Sequence, residues 1–195
     1  MVLCFLGDSL TQGIGDTCAL SWVGRLARSS FALDPKRVGT QTICNLGLRG
    51  DSSQRIAARW REETDRRRRP GEDMAFVFSF GAADGLHCVP RAESLSNTRA
   101  ILETAASLGR TLFISPPPAN DPDWSITIRE LGEQQRGLCA QLGVPATDFF
   151  APLSASASYM ASLAAGDGIH PDAAGYDEMA ALLHGWQPLR DLMGL

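Results

Sequence analysis

The sequence of 195 residues has no apolar run approaching the roughly 20 residues that cross a bilayer, which argues against a spanning helix. Its amino terminus has no basic region leading into an apolar stretch and a small-residue cleavage site. Cys4, Phe5 and Leu6 instead run straight into Gly7 and read as a strand of the mature domain, so a cytoplasmic location is expected. The five cysteines, at 4, 18, 44, 88 and 139, include no pair at metal-ligand or redox-motif spacing, and reduced, mostly buried thiols are expected. The net charge is only -4, and the basic residues are not interleaved with aromatics as in a nucleic-acid groove, so no nucleic-acid partner is expected. There are no repeats, no linker and no low-complexity segment. One domain over residues 1–195 follows, large enough to bury roughly 70% of its unfolded surface.

What is present is an alternation of strand-like and helix-like segments. Val2 to Leu6 is an apolar strand that breaks at Gly7 into a polar, glycine-rich turn carrying Asp8 and Ser9. A short helix follows around Ser21–Ala27, then a strand over Gln41–Asn45 and a second glycine turn at Gly47 to Gly50. Asp51, Ser52 and Ser53 offer caps to a helix over about 54–68. The arginines at 66–69 fall at its last turn, where cations complement the negative end of the macrodipole, and they read as a solvated face.

Met74 to Phe80 is apolar enough to be a central strand covered on both faces, and it ends in a third turn, Gly81-Ala82-Ala83-Asp84-Gly85. A helix over 92–108, a strand over 111–115, a rigid proline loop with Trp124, a helix over 125–142 and a short strand over 144–150 come next. Trp124 either walls a pocket or covers the core. A weak helix at 159–165, the loop Asp167-Gly168-Ile169-His170-Pro171 and an amphipathic helix over 173–183 complete the pattern. Strands alternating with helices predict a parallel sheet wrapped on both faces, with its strand-end turns opening on one edge.

Ser9 stands at such an edge, where open α/β sheets bind ligands, and is either a helix cap or a nucleophile. Asp167 and His170 lie three residues apart across Gly168, so one loop can present an imidazole with a carboxylate orienting its Nδ1. Serine, imidazole and carboxylate are the parts of a nucleophile, its base and the base's orienter. The competing reading has Asp167 capping a turn and His170 filling a gap. His87 and His184 read as structural, and Asp8 and Asp84 as turn braces.

The blocks Gly7-Asp8-Ser9-Leu10-Thr11-Gln12-Gly13, Asn45-Leu46-Gly47 and Asp167-Gly168-Ile169-His170-Pro171 occur in an order and at separations resembling the GDSL esterases and lipases, also called SGNH hydrolases. The resemblance spans nearly the whole chain. It implies a flavodoxin-like three-layer α/β/α sandwich with about five parallel strands, and an acyl-enzyme mechanism on Ser9 with His170 as base and Asp167 as orienter. It further implies that the amides of Ser9 and Gly47 hold the oxyanion, that a small or medium-sized ester is the substrate, and that no metal or organic cofactor takes part. The lack of any Gly-X-Ser-X-Gly argues against the ordinary α/β-hydrolase elbow.

The third block departs from the family pattern. Ala83 stands where the family has an Asn whose side chain is the third oxyanion donor, and a methyl group donates nothing. Arg49, two residues past Gly47, is the expected replacement, to hold an oxyanion or a substrate carboxylate, unless it merely faces solvent or caps a helix. Two alternatives stay open beside a carboxylic ester hydrolase: a thioesterase or lysophospholipase on the same site, and a ligand-binding pseudoenzyme that lost turnover with the Asn.

Overall fold

Val2–Gly7 forms the first strand, β1, and every one of its residues is buried, because strands lie on both sides of it and helices on both faces. In the computed structural model, which describes residues 1–195, five strands make one sheet: β1, β2 (Thr42–Gly47), β3 (Met74–Ser79), β4 (Arg110–Ser115) and β5 (Ala146–Asp148). All neighbouring pairs are parallel and the order is β2-β1-β3-β4-β5. β3, buried at every residue, lies at the centre of the sheet, as its largely apolar composition predicts. The topology reverses direction at β1 and β3, leaving a crevice beyond their carboxyl ends.

Side-chain alternation splits the core into two layers. Leu3 and Phe5 point to one face with Val77 and Ile114 and pack against α2 (Ser21–Leu33), α9 (Ala157–Ala165), α10 (Ala173–His184) and α11 (Gln187–Met193). Cys4 and Leu6 point to the other with Phe76 and Phe78, against α4 (Ser53–Asp65), α6 (Arg91–Leu108) and α7 (Pro122–Leu142). Trp22 meets Phe5 and Phe149 edge-on in the first layer, and Trp60 meets Phe76 and Phe78 in the second. The short helices α1 (Ser9–Gln12), α3 (Arg37–Thr40), α5 (Ala82–Leu86) and α8 (Phe150–Ser154) follow strands or connect elements.

Several boundaries differ from the sequence reading. The fourth helix ends at Asp65 rather than near residue 68, because Arg67 and Arg68 bond the carbonyls of Thr64 and Asp65 in tighter turns. Its arginines pair with Glu62, Glu63, Asp65 and Glu72 at the surface. The fifth strand is short because Asp148 accepts from the amides of Phe150 and Ala151 and turns the chain into α8. Residues after 183 form the unexpected α11, whose Leu189, Leu192 and Met193 complete the first core layer. The cysteines are all free, but they are not mostly buried: Cys18 and Cys88 lie in exposed turns, and Cys44 is only partly covered.

Candidate active site

Ser9 is the first residue of α1, directly beyond β1. The strand can end this tightly because Gly7 has no side chain: a Cβ there would lie 2.2 Å from the Ser79 carbonyl oxygen and from the Thr11 hydroxyl. The capping role falls to Asp8, whose carboxylate accepts from the Leu10 amide at 3.0 Å. Ser9 is thereby released from capping. Its hydroxyl lies 2.8 Å from His170 Nε2.

His170 Nδ1 lies in turn 2.6 Å from Asp167 Oδ2. The same carboxylate, through Oδ1, accepts from the amides of Ile169 and His170 at 3.0 and 2.9 Å, so one side chain both shapes the loop and orients the ring. Gly168 makes the loop possible at a φ of +82°, and its carbonyl accepts from Asn120 N–H. Partial burial acts to raise the Asp167 pKa, but the His170 ring and the two amides outweigh it and hold the carboxyl down at about 2. The Asp therefore stays ionised beside the imidazole. The ring itself is largely covered, with its side chain 8% exposed, whereas that of Asp167 is 50% exposed.

A buried ion pair fixes this loop over Ser9. Asp16 accepts from the amides of Cys18, Leu20 and Ser21 and from the Arg25 guanidinium. Arg25 also reaches α10, donating to the Ala173 carbonyl at 2.9 Å and pairing with Asp177. Tyr176 adds a bond from its hydroxyl to the Ile14 carbonyl at 2.8 Å. Burial acts to raise the Asp16 pKa, yet Arg25 and the three amides bring it down to about 2. Neither Asp16 nor Arg25 is marked by its local sequence. No local pattern pairs Arg25 with a helix 148 residues away.

A cavity of about 160 Å³ opens beside Ser9, lined by Asp8, Ser9, Leu10, Arg49, Gly50, Ala82, Ala83, Leu86, Trp124, Asp167, Ile169 and His170. Trp124 is thus a wall of the pocket, held by its Nε1–H donating to the Ala82 carbonyl at 3.1 Å. Arg49 lines the same cavity, with its exposed side chain in no ion pair or hydrogen bond within the chain. Ala83 contributes its methyl group to the wall.

Gly47, whose amide is expected at the oxyanion, is not among the residues that line this cavity. Its N–H donates to Asn45 Oδ1 at 3.0 Å, while Asn45 Nδ2 donates to the Thr11 carbonyl at 2.8 Å. A Cβ at Gly47 would lie 2.2 Å from the Gln12 amide nitrogen, so this glycine lets α1 pack on the end of β2. The glycine that does line the cavity is Gly50, at a φ of +71° and with its N–H unused by the chain. His87, read as structural, lies with Nε2 2.7 Å from the Gly50 carbonyl oxygen and braces that turn. The exposed His184 closes α10, far from this loop in sequence.

Beneath the site the three strand-end turns each contribute an aspartate: Asp8, Asp51 and Asp84, all nearly fully buried. Burial, followed by the repulsion of Asp51 and Asp84, pushes the Asp8 carboxyl up to about 7 despite its bond from Leu10. Asp51 is likewise raised by burial, against its pairing with Arg59, and Asp84 accepts from the Ser53 amide at 2.6 Å. These groups tie the turns together. No set of three or more His, Cys, Asp or Glu side chains is arranged to hold a metal ion.

A doubly wound parallel sheet with a serine, a histidine and an aspartate in one hydrogen-bonded line at its switch point defines an α/β protein of the hydrolase type. The chain belongs to the GDSL-like Lipase/Acylhydrolase family, whose pattern it matches over residues 5–178. No curated protein matches its sequence significantly. Among solved structures it is similar to Axe2, an acetylxylan esterase from Geobacillus stearothermophilus, at 19% identity and a TM-score of 0.76, over 100% of this chain and 94% of that one. It is similar also to a member of the lipolytic protein G-D-S-L family from Veillonella parvula DSM 2008, at 19% identity and a TM-score of 0.74, over 96% and 98% of the two chains. A lipolytic protein of that family from Desulfitobacterium hafniense DCB-2 gives 22% identity and a TM-score of 0.73, over 92% and 95%.

Proposed function

We propose that the protein is a serine hydrolase of carboxylic esters with small acyl groups. The observation that carries this reading is the line Ser9 Oγ–His170 Nε2 at 2.8 Å and His170 Nδ1–Asp167 Oδ2 at 2.6 Å, at the mouth of an apolar-walled cavity. Ser9 attacks the ester carbonyl as His170 takes its proton; the imidazolium, balanced by Asp167, returns that proton to the departing alcohol. Water activated by the same imidazole then releases the acid. The cavity is smaller than the roughly 300 Å³ at which drug-sized ligand pockets begin, so a short acyl chain fits it best.

The developing oxyanion is held by the free N–H groups of Ser9 and Gly50. Ala83 adds no third donor, and losing one such donor costs about 3 kcal/mol, or roughly 100- to 1,000-fold in rate. Arg49, the unpaired cation on the cavity wall, is placed to recover part of that through its fixed charge. The same methyl at Ala83 is what favours the second reading, a ligand-binding protein without useful turnover.

Labelling with a fluorophosphonate separates the two, because it requires an activated serine. The hydrolase reading expects labelling of the wild type and none of Ser9→Ala, with hydrolysis of nitrophenyl esters falling as the acyl chain lengthens. Wild-type protein inert to the probe under conditions that label a control hydrolase would overturn it. Thioester and lysophospholipid substrates, assayed alongside, test whether the site prefers those acyl donors.

A further inference from the structure

Cys4 and Cys44 are direct partners in the parallel register of β1 and β2. Adjacent strands lie about 4.8 Å apart, inside the roughly 4.4–6.8 Å between Cα atoms that a disulfide spans. Both side chains point to the same face of the sheet, with Cys4 inside the second core layer and Cys44 packed against its margin. The register makes the two thiols immediate cross-strand neighbours.

Their surroundings differ because β2 is the edge strand. Cys4 is completely buried, whereas Cys44 is only partly covered. The arginine run after α4 acts on Cys44 through its charge, Arg67 first and Arg69 second. Arg67 is itself anchored by a bond to the Glu63 carbonyl. The neighbouring Cys4 and then, against partial burial, the charge of Arg67 hold the Cys44 thiol below its ordinary range. The neighbouring Cys44 and burial push the Cys4 thiol up. Negative charge is therefore favoured on the accessible sulfur and the proton on the buried one.

We propose that Cys44 and Cys4 form a hydroperoxide-responsive dithiol, with Cys44 attacking and Cys4 resolving. The Cys44 thiolate attacks the terminal oxygen of a hydroperoxide; the O–O bond breaks, the sulfur is oxidised by two electrons to sulfenic acid, and the departing alkoxide or hydroxide takes a proton. The Cys4 sulfur then attacks Cys44, its proton leaving with the hydroxyl as water, and the S–S bond forms. In sum, two thiols and one hydroperoxide give one disulfide, one alcohol or water, and one further water. A disulfide formed this way is expected to be reversed by a dithiol reductant. The other thiols have no such arrangement, Cys139 being buried and raised to about 12 by that burial. This inference is independent of the ester-hydrolase reading.

The test uses the full chain with the exposed cysteines removed, Cys18→Ser/Cys88→Ser. The folded protein is treated with hydrogen peroxide at neutral pH, freed of peroxide, unfolded, alkylated and weighed intact. The expected product has lost two of its three alkylatable thiols, yields a Cys4–Cys44 cross-linked peptide, and regains both thiols in dithiothreitol. Adding Cys4→Ala is expected to halt the reaction at a sulfenic acid on Cys44 that dimedone traps, and Arg67→Gln to slow oxidation about threefold or more by lowering the thiolate fraction. Should Cys4→Ala fail to fold, Cys44→Ser on the edge strand serves, with Cys4 expected to stay reduced. Full alkylation of Cys4 and Cys44 after peroxide exposure sufficient to oxidise Cys18 and Cys88 of the wild type would overturn the proposal.

Discussion

The guanidinium of Arg25 and the carboxylate of Asp16 form a buried ion pair, with side chains 6% and 0% exposed, that clamps the turn after α1 to the start of α10. Arg25 is shared among Asp16, Asp177 and the Ala173 carbonyl, and Tyr176 stacks beneath it at 5.9 Å. Because Asp167 and His170 sit just ahead of α10, this clamp decides how far His170 stands from Ser9.

Breaking one partner of such a pair leaves a buried charge unmatched. Asp16→Asn is expected to destabilise the protein by about 3–5 kcal/mol and to lower kcat by more than KM changes, since His170 loses its alignment. Urea denaturation followed by steady-state kinetics at a temperature where the variant is folded measures both.

Within the serine–histidine–aspartate line the expected losses are unequal. Ser9→Ala removes the proposed nucleophile and should cost about a millionfold in kcat, whereas Asp167→Asn, which keeps the ring in place but favours the wrong tautomer, should cost about ten-thousandfold. Active-site titration with a fluorophosphonate and kcat on a short nitrophenyl ester check the order.

Ala83 and Arg49 make a coupled prediction. Ala83→Asn restores a donor on the cavity wall and should raise kcat by roughly tenfold to a hundredfold. Arg49→Ala should cost more in the wild type than in the Ala83→Asn background if, as proposed, the two groups serve the same oxyanion. An additive double-mutant cycle would show that Arg49 acts elsewhere, on substrate binding alone.

Asp8 gives a pH prediction whose sign is opposite to that of a salt-bridged carboxylate. Its pKa is near 4 unfolded and about 7 folded, so between these values the native state holds a proton that the unfolded state lacks. Stability from this group is therefore full below pH 4, falls as pH rises, and is lost above about 7, with a slope of at most about 1.4 kcal/mol per pH unit. Asp8→Asn should flatten that slope in denaturation curves collected from pH 4 to 8. Asp167 runs the other way: with its carboxyl held at about 2, its contribution is present above pH 4 and fades on acidification toward 2.

Gly50 and His87 provide a positioning test. His87→Ala frees the Gly50 turn and should lower kcat several-fold with little change in the melting temperature, because the His87 side chain is exposed and bonds only that carbonyl. His87→Gln, which keeps a donor, should recover part of the loss.

The sequence by itself determined the parallel α/β architecture, since β1 and β3 are almost wholly apolar and helical segments separate the strands; it also marked Ser9, Asp167 and His170 through local spacing and block order. Tertiary structure decided what depends on contacts between distant segments. Gly47 and Gly50 are both glycines in one turn, and only the packing of α1 against β2 shows that the first is spent on close approach while the second faces the cavity. In the same way, Asp16 and Arg25 are ordinary charges until the chain folds, and Cys4 and Cys44 are distant residues until the register of two strands makes them neighbours. Periodicity reports which face of an element is buried, but not what lies across from it, and that partner is what sets a clamp, a donor or a thiol pair.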